Sequence, residues 1–339
     1  MLGFSGSLLS VDVGSSALKL VELERAGPHL RLRSCGVKGI RPGEDRAEAL
    51  RQMVAERGVT TSQAVLGLAS PELIVKTFEF PPIPRKELLS AIRLEAEQAI
   101  LNGHPMSEMM VDWHAFPANG GPNRMGGLLA VVPKSAVAAR LQLAQSAGLK
   151  PVVVDVEGLA LWNAYWALVG SRDPSTRAPA RLASPNETAG GIAQDSAPRA
   201  LPVGLHTESG RDTVLLVNVG AATTNLVIAK GPDDLLLVRD LRLGGGAIGT
   251  AHEAEWLSEI RDSLAYARSK TGLRALDAVY VSGGFAAQAI DPLQSAMEAP
   301  ITPWNPLEQL ARDERTPNVD LALGPLLAVA IGLALRQPS

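Results

Sequence analysis

LLSVDVGSSALKLVEL, residues 8–23, and VLLVNVGAATTNLVIA, residues 214–229, are the two stretches whose reading decides the fold. Each is a pair of β-branched and leucine-rich runs around a short glycine turn, the signature of a hairpin. The two align without a gap, Asp12 on Asn218, Gly14 on Gly220 and Leu20-Val21 on Leu226-Val227, at an offset of 206 residues. A repeat at that distance is about one lobe long and predicts a duplicated architecture. Glycine lets the backbone turn tightly enough for successive N–H groups to converge on an anion. The hydroxyls of Ser15, Ser16, Thr223 and Thr224 are placed to donate further hydrogen bonds, and Asp12, ending a buried strand, to hold a Mg²⁺ through water. One such hairpin is equally well an ordinary β-turn; two copies, one in each half of the chain, predict a clamp for a nucleotide's phosphates.

Working outward from the first hairpin, strands are predicted over 8–13, 17–24 and 30–37, a helix over 46–56, and strands over 64–68 and 73–80. Pro81-Pro82-Ile83-Pro84 then breaks the chain. The next helix carries Leu88, Leu89, Ile92, Ala96, Ala99 and Ile100 on one stripe. Strands near 109–116 and 127–132, a helix over 135–147, a strand over 150–155 and a helix over 159–168 complete this half. Residues 1–170 read as a first lobe, with 81–149 as an α+β insertion in it. Residues 171–210 contain no aromatic side chain and are rich in Pro, Ala, Ser and Gly. Such a segment buries too little apolar surface to offset its ordering entropy and is expected to be a disordered linker. The second lobe, 211–339, repeats the pattern: strands over 213–219, 223–230 and 235–241, a glycine run at Gly244-Gly245-Gly246, a helix over 253–270, a strand over 275–281 ending in Ser282-Gly283-Gly284, and a last helix over 322–336.

Composition narrows the function classes. A chain of 339 residues, 46% hydrophobic, has material for two cores, and a formal net charge of −3 with no long Lys/Arg run argues against a nucleic-acid binder. Cys35 is the one cysteine, so no internal disulfide is possible and a reducing, cytoplasmic compartment is expected. The five histidines are scattered, and in His252-Glu253-Ala254-Glu255-Trp256 a tryptophan takes the place of the second imidazole of a zinc helix. The N-terminus lacks the basic region of a signal peptide, and no uncharged apolar run reaches the ~18 residues needed to span a bilayer. Gly244 to Gly249 matches GxGxxG, but no βαβ unit surrounds it, so a turn near phosphates is the expectation rather than a dinucleotide site.

On these motifs the chain resembles the actin-like ATPase superfamily, an α/β, ribonuclease H-like fold of two lobes. VDVGSSALKLVEL is similar to its first phosphate motif, VNVGAATTNL to its second, and Val281-Ser282-Gly283-Gly284-Phe285 to its adenosine motif. Within the superfamily the resemblance narrows towards the PilM family of type IV pilus assembly proteins, relatives of FtsA. PPIPRKELLSAIRLEAEQAI, VVPKSAVAARLQLAQSAGLKPVVVDVEGLAL and Trp304-Asn305-Pro306 carry it. The resemblance implies a 1C-type subdomain in the first lobe, ATP with Mg²⁺ as ligands, and binding residues at Asp12, Gly14, Ser15, Ser16, Lys19, Gly220, Thr223, Thr224, Gly245, Gly246, Gly283 and Gly284. It also implies a place at the cytoplasmic face of the inner membrane, no insertion into the bilayer, and a partner in the N-terminal tail of a PilN-type membrane protein, with pilus motor components as further contacts.

Two departures weaken the expectation of hydrolysis. Asn218 stands where relatives carry aspartate, and an amide neither acts as a base nor attracts Mg²⁺ as a carboxylate does. The 2B subdomain that relatives place between the glycine run and the next helix is nearly missing, since Gly249-Thr250 passes almost directly into HEAEWLSEIRDSLAY. Asp155 and Glu157 follow the strand at which relatives cross between lobes; either orients a water near the γ-phosphate or caps the helix beginning near Gly158. Lys19 reads equally as a phosphate contact or a solvated strand residue. The candidate catalytic set is thus Asp12, Asp155, Glu157 and Asn218. A pilus scaffold binding ATP is the first expectation. A nucleotide-free pseudo-ATPase of a pilus or type II secretion-like system, and a sugar kinase-like phosphotransferase, are the alternatives.

Overall fold

The computed structural model describes residues 6–26, 29–81, 83–100, 104–117, 125–169, 213–231, 234–310 and 319–336. The expected linker, 171–210, lies outside them. The first lobe is built on β1 (Gly6–Val13), β2 (Ala17–Ala26), β3 (His29–Gly39), β4 (Gln63–Leu68) and β8 (Lys150–Val156), in the sheet order β3-β2-β1-β4-β8. The hairpin strands β1, β2 and β3 are antiparallel, while β4 and β8 run parallel to β1. Alternation along β1 sends Leu9, Val11 and Val13 to one face, where Leu50 and Met53 of α1 (Arg46–Glu56) and Ala144 of α3 (Lys134–Ser146) cover them. Asp45 starts α1 as an N-cap, its side chain accepting from the N–H groups of Ala47 and Glu48. The other face carries Leu8 and Ser10, whose hydroxyl donates to the Ala330 carbonyl of α7 (Ala328–Ala334) at 2.6 Å.

The second lobe repeats the order. β9 (Thr213–Val219), β10 (Thr224–Lys230), β11 (Leu235–Leu241), β12 (Ala278–Ser282) and β13 (Ile301–Pro303) form the run β13-β12-β9-β10-β11. Again the hairpin strands are antiparallel, and β12 runs parallel to both β9 and β13. The 206-residue repeat is therefore a structural duplication, as the α/β two-lobe expectation requires. Leu215, Val217, Leu226 and Ile228 face Trp256 and Ile260 of α5 (Glu253–Thr271) and Leu293 of α6 (Ala286–Ala296). Val214, Leu216, Val227 and Ala229 face inward.

Between the sheets lie α7 and α4 (Glu157–Leu168), so the layers run helix, sheet, helix, sheet, helix. A helix apolar on all sides belongs in a core, and α4 is buried throughout except at Ala167. The two helices cross with their backbones in contact: a Cβ on Gly332 would lie 1.9 Å from the Ala160 carbonyl oxygen. Gly67 and Gly158 are likewise pressed against neighbours across this layer.

The insert is a three-stranded antiparallel sheet, β5 (Ile74–Phe80), β7 (Met125–Pro133) and β6 (Met109–Pro117), with α2 (Arg85–Ala99) on one face. Phe78, Leu88, Ile92, Ala96, Leu129 and Val131 make its own core. It extends the second lobe's sheet through the pair Val75↔Val238, leaving β6 as the edge strand among the described residues. The packing draws the insert as 74–133 where 81–149 was expected, because β5 pairs with β7 while α3 packs into the first-lobe core. Leu89, assigned to the buried stripe of α2, is 63% exposed. The last helix is shorter than 322–336: Leu321–Leu323 and Pro325–Leu327 form 3₁₀ turns, and α7 begins only at Ala328. Pro325 supplies no N–H, which breaks the α-helical ladder there.

Candidate functional site

The two glycine turns close with the same bond. Gly14 N–H donates to the Ala17 carbonyl at 3.0 Å, and Gly220 N–H to the Thr223 carbonyl, which aligns with it, at 2.9 Å. Ser15 and Ser16 are exposed at the tip of the first turn. Around the second turn the glycine run packs closely. Gly245 and Gly246 donate to the carbonyls of Gly220 and Ala221, and a Cβ on Gly244 would lie 2.5 Å from the Gly220 oxygen. Gly283, at φ +96°, lies against the end of β9, where a Cβ would come within 2.4 Å of the Val219 oxygen. Gly284 faces open space, and Phe285 packs against Gly245. The fold thus gathers Gly220, Thr223, Gly245, Gly246, Gly283 and Gly284 at one end of the second-lobe sheet. Thr224 leaves that set as a phosphate donor: it is fully buried, its hydroxyl donating to the Leu243 carbonyl at 2.9 Å and accepting from the Trp256 indole at 3.0 Å.

Directly behind each turn lies a cross-strand polar pair in the same register. Asp12 faces Lys19, and Asn218 faces Asn225. Lys19 Nζ donates to Asp12 Oδ2 at 2.8 Å with both side chains largely buried, so Lys19 is no solvated strand residue. Burial alone would lower the Lys19 pKa, but the Asp12 carboxylate holds it above the ordinary lysine value. In the second lobe Asn218 donates to Asn225 Oδ1 at 2.8 Å and accepts from the Ser282 hydroxyl at 3.3 Å. Asn225 in turn donates to Asp240 Oδ1 at 2.8 Å, and the far oxygen of Asp240 accepts from the Ser70 N–H of the first lobe at 3.2 Å. Asp240 and Asn225 were absent from the sequence-based site. The alignment of Asn225 with Lys19 is the signal that marks Asn225 as the counterpart of that residue; Asp240, in β11, lies outside the aligned stretches and carries no such signal.

Glu157 opens α4 between the two pairs. It is buried, within electrostatic reach of Asp12, Asp240 and Lys19, and its side chain packs against Gly67. Burial, reinforced by the Asp12 and Asp240 carboxylates, pushes its pKa up to about 8, and burial raises that of Asp240 to about 6. A protonated Glu157 at neutral pH is a donor, not a base. Asp155, one pleat away, points elsewhere. Its Oδ2 lies 2.8 Å from Arg336 Nε just past α7, an ion-pair contact rather than an aligned hydrogen bond, and its Oδ1 accepts from the Val156 N–H. Asp12 and Glu157 share the interlobe site; Asp155 does not join them.

A hydrated Mg²⁺ calls for one or two available carboxylates beside the phosphates. The ammonium of Lys19 already neutralises Asp12, Asn218 offers an amide committed to two hydrogen bonds, and Glu157 holds its proton. These residues do not fit a magnesium site. Among the described residues no group of three or more His, Cys, Asp and Glu is placed to hold a metal ion.

A second polar cluster lies along β6, the edge strand of the insert. The Arg336 charge acts on both Asp112 and His114 of that strand, and the Asp155 charge acts on Asp112. Burial raises the Asp112 pKa and lowers that of His114. Met110 on the same strand is 43% exposed. The cluster therefore spans from the insert to the first lobe's β8 and the end of α7.

Residues 10–177 match the family model described as type IV pilus assembly protein PilM. Among solved structures, the chain is similar to one described as the PilM-PilN type IV pilus biogenesis complex, at 24% identity and TM-score 0.72, with 97% of each chain covered. A weaker likeness joins it to the cytoplasmic domain of EpsL, an inner-membrane component of the type II secretion system of Vibrio cholerae. That match has 12% identity, TM-score 0.48, and coverage of 97% of this chain and 95% of the other.

Proposed function

We propose that this chain, which belongs through residues 10–177 to the type IV pilus assembly protein PilM family, is a cytoplasmic scaffold of a pilus assembly machine that docks the N-terminal tail of a PilN-type inner-membrane protein. The observation that carries this reading is β6, the edge strand of its sheet among the described residues, beside charges contributed by both the insert and the first lobe. An open edge offers a row of backbone donors and acceptors to an extended peptide, and side-chain pockets beside it give selectivity. Asp112, His114, Asp155 and Arg336 supply polar recognition, and Met110 an apolar contact. No helix of the described residues is long and apolar enough to cross a membrane; on this reading the partner supplies the attachment to the bilayer. The similarity to a PilM-PilN complex supports the choice of a PilN-type partner.

The interlobe site serves the same scaffold by holding ATP. The duplicated turns, with Ser15 and Ser16 exposed at the tip of the first, support a phosphate clamp, and the commitment of Asp12 to Lys19 with the proton held by Glu157 argues for weak hydrolysis at most. The Asn218–Asn225–Asp240 chain ties the second lobe to Ser70 of the first, which favours a structural over a catalytic use of that position.

Docking is tested by fluorescence anisotropy with a labelled PilN-type tail peptide. Ordering a flexible tail opposes binding, so a dissociation constant on the order of micromolar is expected. Met110→Glu, on an exposed position of β6, and Arg336→Ala should each weaken binding by about tenfold or more. Unchanged affinity in both would place the tail elsewhere. Point variants are preferred to removing 81–149, because that deletion would take α3 out of the first-lobe core.

A further inference from the structure

We infer that the interlobe site takes its nucleotide as a free polyphosphate anion, with the Lys19 ammonium occupying the electrostatic role that a divalent cation plays elsewhere; the inference rests on the proposal that the site binds ATP at all. Lys19 Nζ lies 2.8 Å from Asp12 Oδ2 and 3.2 Å from where a Cβ on Gly14 would be, directly beneath the first phosphate turn. An ammonium has three N–H donors, and Asp12 takes one. The Lys19 side chain retains 15% exposure, whereas that of Asp12 retains 3%. The cation is thus the more accessible member of the pair.

The rest of the site offers a magnesium ion nothing. Both polar atoms of the Asn218 side chain are already bonded within the second lobe, to Asn225 and Ser282. The carboxylate of Asp240 accepts from Asn225 and from the Ser70 backbone. A hydrated cation drawn to the other oxygen of Asp12 would share that one buried negative charge with the Lys19 ammonium, setting two cations against a single carboxylate, which is a costly arrangement. A phosphate oxygen sets up no such conflict: it adds a charge-assisted hydrogen bond to a cation already in place beneath the first turn. The Arg46 guanidinium braces the same turn by donating to the Ser15 carbonyl at 3.0 Å.

The test is equilibrium binding of ATP to the intact chain, once in excess EDTA and once in excess Mg²⁺. The expected dissociation constants agree to within about threefold. Lys19→Met should weaken binding about tenfold or more in both buffers. Because it also strands a buried carboxylate, the double variant Asp12→Asn with Lys19→Asn is measured alongside. That variant copies the neutral Asn218–Asn225 pair of the second lobe, should keep the native thermal midpoint, and should lose ATP equally. Binding that requires Mg²⁺, or that survives the double variant unchanged, overturns the inference while leaving ATP as a ligand. Failure of the wild-type chain to bind ATP in either buffer overturns the inference and the nucleotide reading together.

Discussion

Glu157 shows how far a single residue's role depends on what packs around it. Its place after a strand and before a helix is legible in the sequence, but its burial between Asp12 and Asp240 is not, because those carboxylates come from different lobes. A carboxyl group whose pKa rises from 4.5 to about 8 on folding binds a proton that the unfolded chain releases. Stability is then greatest below the unfolded pKa and falls as pH rises through the folded one. Asp240, raised to about 6, acts in the same direction over a lower window. The expected outcome is that the thermal midpoint of the wild-type chain declines, relative to Glu157→Gln, as pH is raised from 4.5 towards 8. Parallel midpoint curves for the two proteins would show that Glu157 ionises freely in the fold. Asn218 teaches the complementary lesson. The sequence marks it as a lost carboxylate, but the partners that make its amide useful, Asn225 and Ser282, are evident only once the strands are paired.

At the scale of elements, the hairpins were the most legible feature, since period-two apolar runs around a glycine turn are a local signal. The helix α6 and the strand β13 went unread because the first contains Pro292 and the second is three residues long. The extent of the insert was misjudged for a different reason. Pro81-Pro82-Ile83-Pro84 is a strong local break, but β5 lies before it and is recruited across the break by pairing with β7. The crossing of α4 and α7 was not legible at all: Gly332 looks like a helix-weakening residue until Ala160 is seen beneath it. Replacing a mid-helix glycine by alanine normally stabilises by about 1 kcal/mol. Here the added carbon would lie 1.9 Å from a backbone oxygen, which no rotamer change relieves. Overpacking costs of about 1–3 kcal/mol or more should win, so Gly332→Ala is expected to lower the urea midpoint. A raised midpoint would mean that the helices part without penalty.

For the molecule as a whole, the question is what the segment 171–210 does to the integrity of the fold. Its composition predicts that a protease cuts there first, and the two sequence halves then become separate polypeptides. They do not become separate bodies. The first fragment carries α4, whose residues Leu159 to Leu168 share one core cluster with Val214, Leu216, Val227 and Val238 of the second. The second fragment carries α7, which lies on the first fragment's sheet, with the Ala330 carbonyl bonded to the hydroxyl of Ser10. The sheet of the insert, in the first fragment, also continues the sheet of the second through Val75 and Val238. Each half therefore completes a core of the other, and burial of that many apolar side chains outweighs the entropy gained by release. Brief proteolysis should yield two bands on a denaturing gel that elute together at the intact position from a native size-exclusion column. They should part only on addition of denaturant, in the same transition that unfolds the uncut chain. Elution of two folded fragments at separate volumes in native buffer would show that the interlobe layer is a removable interface rather than a shared core.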